Sequence, residues 1–204
     1  VLRDNKLDAI KNKEKWCEMI RKNEMTKPYR FWEYVLFFFG YACIGYLYET
    51  ILEVVIYRWG FSNRGVLFGP WLPVYGVGVV IFVLLWYRLI QNKPSKTKVL
   101  MIPVIFLLTM ATATLLELVT SYLLEWTMGS WPWQTYTSYA LNYQGRIALN
   151  PSLRFGLGGV LFLYSIQPFF DRKVGEMGES KVKYLSMTLL ALVFVDVVVS
   201  LIIK

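Results

Sequence analysis

Four glutamates stand inside apolar stretches of this chain: Glu49 and Glu53 in GYLYETILE, and Glu117 and Glu125 in TLLELVTSYLLE. An ionisable side chain in such a setting costs several kcal/mol unless it is paired or wet, so it marks a functional site or a structural pair. Glu53 follows Glu49 by four residues, and Ser121 and Glu125 continue from Glu117 in steps of four, which on a helix puts each set on one face. Arg64, Arg146 and Arg154 lie in segments bordering the same stretches. Carboxylates and guanidiniums gathered in one recess can hold a solute bearing both charges, or lock helices together as a static network. They can also provide a general base, with an arginine steadying a phosphate. The chain has no histidine, which removes the commonest general base and zinc ligand. Its two cysteines, Cys17 and Cys43, lack any paired spacing. Hydrolase and nucleotide-binding signatures of the GxSxG, HExxH, GxGxxG and GxxxxGK[ST] types are absent. No catalytic residue, metal or cofactor is therefore expected.

The elements that must position these residues belong to a bilayer. Of 204 residues, 56% are hydrophobic and 18% charged, too apolar a balance for an ordinary soluble domain. A hydrocarbon core about 30 Å thick takes about 20 apolar residues, and five stretches meet that need, roughly 31–57, 66–90, 99–126, 151–170 and 184–203. The expected fold is all-α, a polytopic bundle of five transmembrane helices with an N-terminal amphipathic helix (residues 7–23) and a long outer loop. Three parts follow: a cytoplasmic amphipathic segment 1–28, a four-helix membrane core 29–170, and a cytoplasmic loop with the fifth helix, 171–204. The net charge of +8 is clustered between apolar runs and not spread over one solvated face, so it reads as topology, and nucleic acid is not expected as a partner. Lysine and arginine crowd the N-terminal segment, residues 88–98 and residues 172–183, which puts the N-terminus in the cytoplasm and the C-terminus outside. Glu49 lies 19 residues beyond Arg30 and Glu117 lies 19 beyond Lys98, so both sit about 28 Å from the inner face.

Two features crowd the outer end. The stretch FSNRGVLFGPWLPVYG, residues 61–76, breaks its backbone at Gly69, Pro70, Pro73 and Gly76, and broken backbone is tolerated in lipid only where protein or a wet cavity satisfies it. This hinge is expected to face the bundle interior beside the carboxylate stripes, the arrangement by which interrupted segments mark a transporter site. The loop WPWQTYTSYALNYQ is denser in aromatics than membrane anchoring requires and is long enough to fold back as a lid. Gly156, Gly158 and Gly159 offer a surface for close helix packing. Asp196, alone in VFVDVVVS, is left with three readings: a pair with another helix, a contact with a partner subunit, or protonation.

In order along the chain, GYLYET, SNRGVLFGPWLPVYG, LLELVTSYLLE and NYQGRIALNPSLRFG resemble successive motifs of a family of small membrane proteins, ABC-transporter permeases of the CmpB type. The resemblance covers roughly residues 31–170. It carries over Glu49, Asn63, Arg64, Gly65, Gly69, Pro70, Pro73, Tyr75, Gly76, Glu117, Glu125, Asn142, Gly145 and Arg146. Gln134 stands where the family pattern has an acid, so no charge is carried over there. The resemblance implies a membrane subunit of an importer or exporter, with ATP hydrolysed by a separate subunit.

The leading expectation is an integral subunit of a transport system that takes a small, amphipathic or zwitterionic substrate from an outward-facing polar pocket. Glu49, Arg64, Tyr75, Glu117, Glu125, Asn142 and Arg146 are its expected contacts, and Gly69, Pro70, Pro73 and Gly76 its hinge. Its expected partners are the lipid bilayer, the small-molecule substrate, and an ATPase or other membrane subunit, in a multi-pass cell-membrane setting. The alternatives are an intramembrane enzyme acting on a lipid or cell-envelope precursor, and a non-catalytic partner of another membrane protein.

Overall fold

The computed structural model describes residues 29–203 apart from 57, 59, 62–66 and 132. The expected amphipathic helix at 7–23 and the predicted contact Arg64 lie outside the described residues. Helix α1 (Phe31–Ile51) starts where Arg30 caps it, with the Glu33 carboxylate accepting the Arg30 N–H at 2.7 Å, and runs on into a π-helical turn, Leu52–Ile56. Helix α2 (Pro73–Leu85) opens on a proline, whose missing N–H has no helical partner to lose there, and ends in a 3₁₀ turn, Tyr87–Leu89. A short α3 (Ser95–Leu100) leads into α4 (Ile102–Met128), which stops at Gly129 in the left-handed region, φ 78°. Next come a 3₁₀ turn, Gln134–Ser138, and a two-stranded antiparallel hairpin of β1 (Asn142–Tyr143) and β2 (Ile147–Ala148). Helix α5 (Leu149–Leu161) joins α6 (Gln167–Glu176) through a π segment, Phe162–Ile166, and α7 (Glu179–Ile203) closes the chain.

The all-α membrane bundle is borne out. Among the described residues, four helical stretches are long and apolar enough to cross a membrane: Phe31–Ile56, Ile102–Met128, Leu149–Glu176 and Glu179–Ile203. The second apolar run is shorter than expected. Its apolar helix covers only Pro73–Leu89, because residues 67–70 bend and Pro73 sets the start. At 1.5 Å per residue it is about 25 Å long. The polar stretch expected to separate the last two spans is itself mostly helical, since lysine and glutamate are good helix formers that extend α6 and α7 past the apolar core.

Helices α1 and α2 pack as an antiparallel pair, as do α4 and α5, and α7 lies along α1. The shared core joins Phe37 and Tyr41 of α1 to Val79, Phe82 and Val83 of α2, Ile105 of α4 and Leu163 of the π segment. Between α4 and α5 the approach is close because Gly159 sits against Thr109 and Gly156 against Phe106 and Met110. Thr114 also donates to Ser152 across that seam at 2.7 Å. With hydrocarbon outside, such packing and interhelical hydrogen bonds hold helices together in place of the hydrophobic effect.

Candidate binding site

The polar stripe of α4 is covered by the loop that follows it. After Gly129 the chain turns back, and the 3₁₀ turn brings the Tyr136 hydroxyl to Glu117, donating to Oε1 at 2.8 Å. Burial, then the Glu117 charge and hydrogen bond, hold the Tyr136 phenol well above the usual tyrosine range, so it stays a proton donor. The hairpin turn explains Asn142 and Gly145. Gln144 and Gly145 both have positive φ (52° and 65°), and Arg146 N–H closes the turn on the Tyr143 carbonyl at 3.0 Å. Asn142 accepts the Gly145 N–H at 2.9 Å and donates to the Tyr139 carbonyl at 2.7 Å.

That turn throws Arg146 back onto α4. Its guanidinium pairs with Glu125, reaches the Ser121 hydroxyl at 3.4 Å, and lies between the rings of Tyr122 and Trp131, 4.1 Å from each centroid. The indoles of Trp131 and Trp133 donate to the Gly145 and Arg146 carbonyls at 3.2 and 2.9 Å, fastening the turn from the other side. The Arg146 side chain keeps 8% of its exposure and that of Glu125 44%, so the pair has one buried and one wet member. Asn142 therefore acts on the backbone of the turn, and Arg146 already has a carboxylate and two rings.

The α1–α2 side carries a second tyrosine–carboxylate pair. Tyr75, in the first turn of α2, sits against Gly45 and donates its hydroxyl to Glu49. Glu49 with Tyr75 and Glu117 with Tyr136 are thus two tyrosine–carboxylate pairs, one on each helix pair. Glu53, one turn beyond Glu49, is buried. Glu117 Oε2 is also buried, and no group among the described residues hydrogen-bonds to it. A buried carboxylate oxygen with an open valence suits an ammonium or hydroxyl donor. Among the described residues no cluster of three or more cysteine, aspartate or glutamate side chains is arranged to hold a metal ion.

The described end of the hinge is held by α7. Asp196 of α7 accepts the N–H groups of Phe68 and Gly69 at 2.9 and 2.8 Å and the Trp71 indole at 2.9 Å. Asp196 thus pairs with the bend ahead of α2, where one of its three readings expects another helix. Gly76 lets α2 approach Phe38 of α1, and Leu72 N–H donates to the Ala42 carbonyl at 3.1 Å.

A second polar network, at the opposite end of the bundle, escaped the sequence reading. Asp171 accepts from Tyr29 at 2.6 Å, Tyr87 at 2.7 Å and Gln167 at 2.8 Å, and Tyr41 donates to Gln167 at 2.7 Å. Burial and the neighbouring Asp171 carboxylate push the Tyr29 phenol up. Asp171 opens the charged run DRKVGE and passes for an ordinary loop charge. Gln167 was the available signal, an amide inside an apolar run that must find partners.

Residues 36–201 match the family model described as "Putative ABC-transporter type IV", the CmpB family. No curated protein and no solved structure matches the chain.

Proposed function

The chain belongs to this CmpB family of ABC-transporter type, and on that premise we propose that it is a membrane subunit that binds or conducts a small amphipathic or zwitterionic solute. The solute sits between the pairs Glu49–Tyr75 and Glu117–Tyr136, under the loop that follows α4. Arg146 and Glu125 fasten that cover, Asn142 shapes its turn, and Arg64, outside the described residues, is kept as an expected contact. The observation that supports this reading most is the buried Oε2 of Glu117, which has no hydrogen-bond partner among the described residues, beside a tyrosine that stays protonated. It leaves an acceptor with an open valence for the cationic or hydroxyl part of a solute. The site opens on the outer side, the N-terminus is cytoplasmic and the C-terminus is external, as the lysine and arginine distribution supports. ATP hydrolysis is the work of a partner subunit.

The test is native mass spectrometry of the gently extracted protein, which reads co-purifying small molecules and any ATPase partner together, set beside uptake by cells. Glu117→Gln keeps the shape and removes the charge. A charge-assisted hydrogen bond contributes about 1.5–3 kcal/mol, so occupancy is expected to fall at least about tenfold. Equal adduct occupancy and equal uptake in the variant would refute the proposal.

A further inference from the structure

Beyond the solute site, an open groove of about 420 Å³ runs between the loop residues Tyr139 and Leu141 and the first turns of α5. Its floor is Leu149, Leu153 and Leu157, exposed leucines in steps of four on one helix face. Arg154 lines the same groove and is exposed, and among the described residues no carboxylate pairs with it. It lies five residues into the span that begins at Leu149, about 8 Å below its end, the depth of a headgroup boundary. The lining thus carries one cation, no acid and an apolar strip running deeper into the bilayer. Its complement is an amphiphile with net negative charge at the top and a hydrocarbon chain below.

We infer that this groove is a binding site for an anionic glycerophospholipid, its phosphodiester on Arg154 and one acyl chain along Leu149, Leu153 and Leu157. A zwitterionic lipid would bring an ammonium group that finds no carboxylate in the lining, so charge complementarity favours the anionic headgroup. The groove also adjoins the solute site. Tyr139 in its wall meets Tyr136 edge-on, with ring centroids 5.8 Å apart, and Tyr136 is the residue that donates to Glu117. A lipid seated there braces the loop that covers the solute site.

The experiment uses the full chain, delipidated in detergent, with phosphatidylglycerol or phosphatidylcholine added back and adducts read by native mass spectrometry. The wild type is expected to hold phosphatidylglycerol about fivefold more than phosphatidylcholine, Arg154→Gln to lose that preference, and Arg154→Lys to keep most of it. Glu117→Gln is expected to keep it in full, so failure of the solute-site reading and failure of this one are distinguishable. Equal adducts of the two lipids in the wild type would overturn the inference, and that arm needs no variant. It would also be overturned by an undiminished preference in Arg154→Gln, by inorganic phosphate competing as well as the lipid, or by a doubled mass replacing the lipid adducts.

Discussion

Replacing Asp196 by alanine takes one carboxylate away from three N–H donors, those of Phe68, Gly69 and the Trp71 indole, all within 2.8–2.9 Å. Each donor loses a charged acceptor, so the bend at residues 67–71 opens more often, and the amide hydrogens of Phe68 and Gly69 should exchange at least about tenfold faster. The assay is exchange mass spectrometry in detergent, comparing peptides that cover 67–72 with those of α4 and α5, which should not change. Asp196→Asn keeps one acceptor oxygen and should fall between. Exchange at 67–72 within about threefold of the wild type in Asp196→Ala, with α7 still protected, would refute the reasoning.

Two further outcomes concern stability, read as the thermal midpoint in detergent. Gly159→Val places methyl groups where Thr109 already stands and is expected to cost about 1–3 kcal/mol, a loss of about 2–4 °C per kcal/mol, whereas Gly158→Ala, whose Cβ would meet nothing nearer than 3.9 Å, should leave the midpoint unchanged. Arg146→Met keeps the apolar stem but loses the Glu125 pair and both ring contacts. It should cost about 2–4 kcal/mol, with Arg146→Lys intermediate because an ammonium lacks the planar face that lies between two rings.

Sequence alone carried whatever depends on position within one element. The stripe Glu117, Ser121, Glu125 is visible in steps of four, and Arg146 meets its last two members. Gly156 and Gly159 are found packed on α4 whereas Gly158, expected on the same surface, is not, and the aromatic loop folds back over the stripe. What stayed hidden depends on how one helix is rotated against another. Asp196 is 125–128 residues from its partners, and Asp171 is 142 from Tyr29 and 84 from Tyr87, separations across which no periodicity speaks. Nothing in the sequence marks Tyr122 and Trp131 as partners of Arg146, because an aromatic at that depth has the same signature whether it faces lipid or an arginine. The second run was taken for a full span because hydropathy does not register that Pro70 and Pro73 postpone the helix start.

The π segment Phe162–Ile166 sets the phase between the two halves of a long rod. A turn of that kind accommodates an additional residue, so everything past it is swung by about 100° about the axis. Upstream, Gly156 and Gly159 address α4; downstream, Gln167 and Asp171 address Tyr41 of α1, Tyr87 of the 3₁₀ turn after α2, and Tyr29, two residues ahead of α1. Deleting a single position between them would preserve every amino acid that matters and still point the lower half at the wrong neighbours. The tally of residues in that stretch, more than their identity, lets one continuous helix serve two sets of contacts.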